Sequence, residues 1–172
     1  MPPFDREPAR EAGQREQPRA ATTTLDRIFE TFARDAACHM SGEPATEQDL
    51  RGLEKAVGRP LPASFRAFVA RFGGGLFYQG HEIFGPHRVM IHDIELVPSL
   101  TSMLVWLRSQ QPAVPDGVLP FHRADGIVHL LDLRAPAQPE RIVSLPYGST
   151  YPDLATFLGS VVLPPAARTA ED

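Results

Sequence analysis

The sequence predicts an α+β domain with a mainly antiparallel sheet and helices packed mostly on one side of it. Three observations support this prediction. Several stretches place apolar residues at helical spacing, short apolar runs are joined by turn residues, and the two kinds of segment do not alternate regularly. A parallel doubly wound sheet needs such alternation and is therefore disfavoured. The 172 residues are 42% hydrophobic and 22% charged, which suits a single domain with a substantial core.

Two adjacent amphipathic helices are predicted within residues 46–75. Thr46 and Asp49 can form a capping box at the start of the first helix, and Gly58 can end it. Its apolar stripe consists of Leu50, Leu53 and Val57. The second helix has Pro62 in its first turn and the stripe Phe65, Phe68, Val69 and Phe72. The glycine run after it follows a helix rather than a strand, which disfavours a phosphate-binding loop.

The chain before and after this region is predicted from its composition. Residues 1–23 contain few large apolar side chains, so we expect a disordered tail. An amphipathic helix follows within residues 24–39, with Thr24 as its cap and Leu25–Ala37 as its body, either in the core or laid on its surface. Residues 164–172 follow the last helix and are expected to fray.

The remaining elements are predicted from short apolar runs and turn residues. Residues 40–45 are expected to be a linker, and residues 76–85 to form two short strands around a turn at Gln79-Gly80. Further strands are expected at Arg88–Ile91 and Arg141–Leu145. Two more helices are expected: one after Ser99, with Trp106 either at the edge of the core or partly exposed, and one capped by Ser149 or Thr150.

The strongest hairpin signal is Asp125-Gly126, which separates the apolar runs Val118–Arg123 and Ile127–Leu133. This turn places His122 opposite His129. The residues expected on the other face are Phe121, Val128 and Leu130. Two imidazoles across a hairpin can share a metal ion or titrate together, although a polar, half-exposed sheet face is the simpler interpretation.

Charge and cysteine content disfavour several functional classes. The formal charge of −4 is too small to indicate a polyanion or membrane partner. Basic residues are spread singly, without the aromatic and basic stripe of nucleic-acid binding proteins, so we expect no direct nucleic-acid binding. The single cysteine, Cys38, allows no internal disulfide, and the N-terminus shows no apolar signal segment. The sequence favours a cytoplasmic location.

No catalytic or metal-binding pattern is visible in the sequence. The candidate nucleophiles Ser144, Ser149 and Ser160 lack the glycine-flanked context of a nucleophile elbow. The histidines His81, His87 and His92 lie near carboxylates, but their spacing matches no known ligand motif. We therefore expect no enzymatic activity, no cofactor and no bound metal. A metal-dependent enzyme that uses these three histidines is the least favoured alternative.

One stretch points weakly to a protein partner. Residues 78–95 carry acids, histidines and a tyrosine around turns, with a single arginine. An acidic and aromatic patch of this kind can meet a basic partner, although an ordinary solvated face explains it more simply. The contact residues predicted from this stretch are Tyr78, His81, Glu82, His87, Asp93 and Glu95.

The order of the motifs is more specific than any one of them. The first group, for which we expect structural roles, consists of Thr46, Leu53, Glu54, Gly58, Leu61, Pro62, Phe65, Phe68, Gly73, Gly74, Gly75, Phe84 and Gly85. Leu119-Pro120-Phe121, the Asp125-Gly126 turn and Tyr151-Pro152-Asp153 follow in order. This series resembles the signature of the SUKH superfamily over residues 44–163. The superfamily includes fungal cell-wall-assembly regulators and bacterial immunity proteins.

The resemblance implies an α+β domain that acts by binding rather than by catalysis. Bacterial members typically neutralise a cognate polymorphic toxin, often a nuclease or a deaminase, so the expected partner is a toxin domain with a basic surface. The alternative is a regulatory scaffold with several protein partners, as in the fungal relatives. The protein is expected to be a monomer. The resemblance transfers no contact residues, because members bind different toxins through variable surfaces.

Overall fold

The structure is a computed structural model. The residues that it describes are 23–78, 80–110, 114–134, 140–146 and 148–165. The expected disordered tail lies outside the described residues except for Thr23. The turn residue Gln79 and the last residues of the expected frayed end, 166–172, also lie outside them.

The described part of the chain contains five α-helices. They are α1 (Thr24–Arg34), α2 (Glu47–Val57), α3 (Ala63–Phe72), α4 (Leu100–Arg108) and α5 (Leu154–Phe157). The predicted capping box of α2 is confirmed: the Asp49 N–H donates to the Thr46 hydroxyl at 3.2 Å, and the Asp49 carboxylate accepts from the Thr46 N–H at 2.8 Å. Gly58 and Gly73 end α2 and α3 with φ of 75° and 70°, a conformation that glycine adopts without steric cost.

Nine strands are present in the described residues. They are β1 (His39–Ser41), β2 (Gly75–Phe77), β3 (His81–Ile83), β4 (Val89–Ile91), β5 (Ile94–Val97), β6 (Val118–Ala124), β7 (Ile127–Asp132), β8 (Ile142–Leu145) and β9 (Thr150–Tyr151). Seven of them form one sheet in the order β1-β2-β3-β6-β7-β8-β9, and β4 and β5 form a separate hairpin. All the pairings are antiparallel, which confirms the predicted fold class.

The main core lies where the helical stripes meet one face of the large sheet. Phe32 of α1 packs against Phe68 of α3 and Phe77 of β2, with ring centroids 6.1 Å and 5.3 Å apart. All three rings are essentially inaccessible to solvent. Buried aromatic rings contribute the largest apolar areas per residue, so these contacts make α1 part of the core rather than a peripheral helix.

The N-terminal boundaries differ from the prediction. The cap of α1 is Thr23 rather than Thr24, because the Thr23 hydroxyl accepts from the Asp26 N–H at 3.2 Å. The helix ends at Arg34, and a 3₁₀ turn over Ala36–Cys38 leads into β1. Part of the predicted linker is therefore a strand, which pairs with β2 at the edge of the sheet.

The C-terminal helix also begins later than predicted. Neither Ser149 nor Thr150 caps it, because Thr150 lies in β9. The Asp153 carboxylate instead accepts from the Thr156 N–H at 2.7 Å. A π-helical segment, Leu158–Val162, continues the helix after Phe157.

The Asp125-Gly126 hairpin is confirmed, but the predicted faces are partly wrong. His122 pairs with His129, and both side chains are buried rather than half-exposed. Phe121 lies in the main core instead of beside Val128 on the opposite face. The reason is a register shift between Pro120 and His122, since a bulge breaks the alternation of side chains along β6.

Candidate protein-binding surface

The β4–β5 hairpin presents apolar side chains to solvent. Its base is anchored by Val89 and Val97, which pair across the strands and are buried in the main core. Towards the turn, Ile91 pairs with Ile94, and their side chains are 37% and 71% exposed. Ile94 has the largest exposed fraction among the large apolar side chains of the described residues. Exposed apolar side chains grouped at one tip are typical of a contact surface.

Two predicted contact residues lie at the tip of this hairpin. Asp93 is in the turn and Glu95 is in β5, and both are exposed. The carboxylates make no hydrogen bond or ion pair with any residue that the structure describes. The hairpin therefore combines unpaired negative charge with exposed apolar area.

Tyr78 is held within the fold. Its hydroxyl donates to the Asp35 carboxylate at 2.9 Å and ties the end of β2 to the end of α1. Burial, together with this hydrogen bond, raises the pKa of Tyr78 above its ordinary value. The side chain is half-buried, so only part of it can reach a partner.

Glu82 and His87 also have partners inside the chain. The Glu82 carboxylate accepts from Nε and Nη2 of Arg123 at 3.1 Å and 2.6 Å. His87 Nε2 lies 3.3 Å from the carboxylate of Asp49, at the start of α2. Hydrogen bonds from Thr46, followed by the weaker influence of His87, hold the pKa of Asp49 below its usual value.

His81 belongs to a chain of three imidazoles that runs from β3 into the core. His81 Nδ1 lies 3.1 Å from His122 Nε2, and His122 Nδ1 lies 3.0 Å from His129 Nδ1. Burial, and then the charges of the neighbouring histidines, lower the pKa of His122 to about 2. Burial, and then the charge of His81, lower the pKa of His129 to about 4. The His122 and His129 rings are therefore neutral at neutral pH.

The geometry of the imidazole chain does not suit a metal ion. His122 uses its two ring nitrogens for two different neighbours, so the three rings do not converge on one point. The described residues contain no group of three or more His, Cys, Asp or Glu side chains arranged to hold a metal.

Two of the three hydroxyl groups considered as nucleophiles, those of Ser144 and Ser160, serve local structure. Ser144 Oγ donates to the Ser149 carbonyl at 3.3 Å, and Ser160 Oγ donates to the Thr156 carbonyl at 2.6 Å. A nucleophilic serine needs a base within hydrogen-bond reach, which neither carbonyl provides.

Sequence reasoning missed the apolar half of the hairpin surface. The six predicted residues were chosen for their polarity, and Ile91 and Ile94 were not among them. The available signal was Ile-His-Asp-Ile, in which two turn-compatible polar residues separate two isoleucines.

The comparison with protein families agrees with the architecture. A model of the SMI1 / KNR4 family (SUKH-1) matches residues 44–159, from just before α2 to the π-helical segment. No curated protein matches the chain. None of the helices in the described ranges combines the length and apolar character needed to cross a membrane. The family model covers well over half of the chain, and the chain therefore belongs to the SMI1 / KNR4 family (SUKH-1) of the SUKH superfamily.

Proposed function

We propose that this protein is a non-catalytic immunity protein that binds and neutralises a polymorphic toxin domain. Membership of a family that is generally non-catalytic supports this proposal. We place the toxin-binding surface on the β4–β5 hairpin because of the side chains that it exposes. It presents Ile91 and Ile94 beside the unpaired carboxylates of Asp93 and Glu95.

The chemistry of this hairpin suits a basic partner. A toxin that acts on nucleic acid needs a cationic site, because the phosphate backbone dominates its substrate affinity. Asp93 and Glu95 complement such a site and accelerate association. Ile94 supplies the apolar anchor, since binding energy concentrates in a few side chains that become fully desolvated.

The hairpin tip alone is smaller than a complete interface. A standard interface buries roughly 800 Å² on each partner, which is more than one hairpin tip provides. We propose that Tyr78, His81, Glu82 and His87 contribute to the remainder. Contacts within the chain hold their side chains in place, so binding need not order them. We further propose that the protein acts in the cytoplasm, as a monomer and without a cofactor.

The proposal is tested by capturing the partner and then mutating the hairpin. Tagged protein is purified from its native cells, and the captured protein is identified by mass spectrometry. We expect one stoichiometric partner with a toxin domain, whose activity falls as the purified protein is added. If purified toxin domains encoded beside the gene keep full activity in the presence of the protein, the proposal is wrong.

The hairpin variants locate the interface. Ile94→Asp is expected to weaken toxin binding by at least about 30-fold, in the range of an interface hot spot. Val105→Asp is the matched control, because Val105 is also an exposed apolar residue, 64% exposed, but lies on α4. Isothermal titration calorimetry should show near-normal affinity for the control. Equal affinities of the two variants would exclude the hairpin as the anchor.

The alternative is a regulatory scaffold with several protein partners. A second exposed apolar site favours it, since Val105 and Trp106 of α4 are 64% and 43% exposed. The same capture experiment separates the two functions. Several partners in substoichiometric amounts would support the scaffold and contradict the immunity function.

A further inference from the structure

A pocket of about 580 Å³ lies on the face of the large sheet opposite the main core. Side chains alternate along β7 and β8, so Leu131 and Ile142 face the core while their neighbours face the pocket. The apolar wall consists of Val118, Val128, Leu130, Val143 and Leu145, and α4 adds Trp106 and Leu107. Small-molecule sites typically have volumes of roughly 300–1,000 Å³ and predominantly apolar walls.

Charged groups are also part of the pocket lining. Asp132 is buried, and its two oxygens accept from Nε and Nη2 of Arg134, each at 2.8 Å. This paired contact, aided by the charge of Arg141, holds the pKa of Asp132 below its usual value. The carboxylate oxygens of Asp132 therefore already accept hydrogen bonds from Arg134.

Among the lining residues that the structure describes, Arg141 is the cation that remains available. Its side chain lines the pocket, is exposed, and forms no hydrogen bond or ion pair with the residues that the structure describes. In the described part of the lining, one carboxylate and two guanidinium groups leave a surplus of one positive charge. An anion gains from this surplus, whereas an amine is repelled by it.

We propose that this pocket binds a small amphipathic monocarboxylate. The apolar body of the ligand packs against the valine and leucine wall and against Trp106. Its carboxylate meets the guanidinium of Arg141, whose planar donor pair matches a carboxylate in geometry and charge. This binding site is separate from the β4–β5 hairpin and does not depend on the proposed immunity function.

Binding in the pocket can be followed by intrinsic tryptophan fluorescence. Trp106 is the single tryptophan in the sequence, and its indole is 43% exposed at the pocket wall. An alkyl chain that covers the ring removes water from it, so the emission should shift to shorter wavelength. The full chain is titrated with sodium decanoate below micelle formation, and calorimetry provides a second readout.

Ligands and variants separate the apolar contribution from the charged one. Decanoate should bind saturably and about tenfold more tightly than 1-decanol, which has the same chain without the charge. Arg141→Gln should remove this preference and leave decanol binding unchanged. Arg27→Gln, at an exposed arginine on α1, is the control and should bind like the wild type.

A second variant tests the location. Val143→Phe places a larger side chain, also favourable in a strand, at the half-buried centre of the wall. It should abolish the binding of both ligands while the thermal unfolding curve stays cooperative. The proposal is overturned if decanoate produces no saturable signal or binds no better than decanol. It is equally overturned if either Arg141→Gln or Val143→Phe binds decanoate like the wild type.

Discussion

The two hairpins β4–β5 and β6–β7 share a local design but differ in burial. Each has a two-residue turn whose first residue has positive φ, 51° at His92 and 49° at Asp125. In the β6–β7 hairpin, Ile127 directly follows the turn and is half-buried, and Leu131 further along β7 is fully buried. Ile94, which directly follows the turn of the other hairpin, is 71% exposed.

The difference follows from what pairs with each hairpin. β6 also pairs with β3 and β7 also pairs with β8, so β6–β7 is the centre of the large sheet. Within the part of the chain that the structure describes, β4 and β5 pair only with each other, and they are fixed at the base by Val89 and Val97. The apolar residues of one hairpin are thus required by the core, while those of the other remain available to a partner.

The largest expected effect tests this difference directly. Leu131→Ala should lower the free energy of unfolding by about 2–5 kcal/mol, because it leaves a cavity in the core. Ile94→Ala, the matched control, should change it by less than about 0.5 kcal/mol. Urea unfolding followed by circular dichroism measures both values. Similar losses in the two variants would show that the β4–β5 hairpin is also part of the core.

The pH dependence of stability tests the burial of the His122 and His129 imidazoles, which belong to the β6–β7 hairpin. The folded pKa values of His122 and His129, about 2 and about 4, lie below the ordinary value of 6.5. The unfolded chain therefore binds more protons, so this stability is complete above pH 6.5 and is lost as the pH falls. We expect a loss of about 1–3 kcal/mol between pH 6.5 and 5.

The control for this prediction removes one titrating ring. His129→Gln should reduce the slope of unfolding free energy against pH in this window. Asp132 and Asp49, whose pKa values are lowered, lose their contribution only at more acidic pH. Unfolding free energy that is flat between pH 6.5 and 5 in the wild type would contradict the assignment of His122 and His129 as buried, neutral imidazoles.

The smallest effect concerns the turn of β6–β7. Gly126 has φ of 76°, and a Cβ added there would meet open space, so Gly126→Ala tests backbone conformation alone. We expect a destabilisation of about 1–2 kcal/mol. Gly52→Ala also adds a Cβ in open space, but within α2, and should stabilise by about 0.5–1 kcal/mol. Urea titrations measure both values. If the two substitutions changed the unfolding free energy in the same direction, backbone conformation would not explain the effect at Gly126.

Features determined by local sequence could be predicted. The capping box of Thr46 and Asp49, the left-handed end at Gly58 and the Asp125-Gly126 turn each depend on residues within a few positions. The short strands β1, β5 and β9 were missed, because two to four residues carry no periodicity and their hydrogen bonds come from a partner strand. The bulge that turns Phe121 into the core is equally a property of the pairing.

The candidate sites depend still more on tertiary structure. The contact between His81 and His122 joins residues 41 positions apart, and no local pattern indicates the burial of His122. The pocket requires Trp106 of α4 and Val143 of β8, which are distant in the sequence, to line the same cavity. Asp93 and Glu95 were predicted from charge alone, and their partner remains a proposal.

Hydrogen–deuterium exchange of the toxin complex tests the central claim most directly, because it compares the two hairpins in one experiment. The account predicts that toxin binding slows exchange in residues 89–97 and leaves residues 123–128 unchanged. Slower exchange at the β6–β7 turn, with no change in residues 89–97, would contradict the assignment of the β4–β5 hairpin as the partner surface.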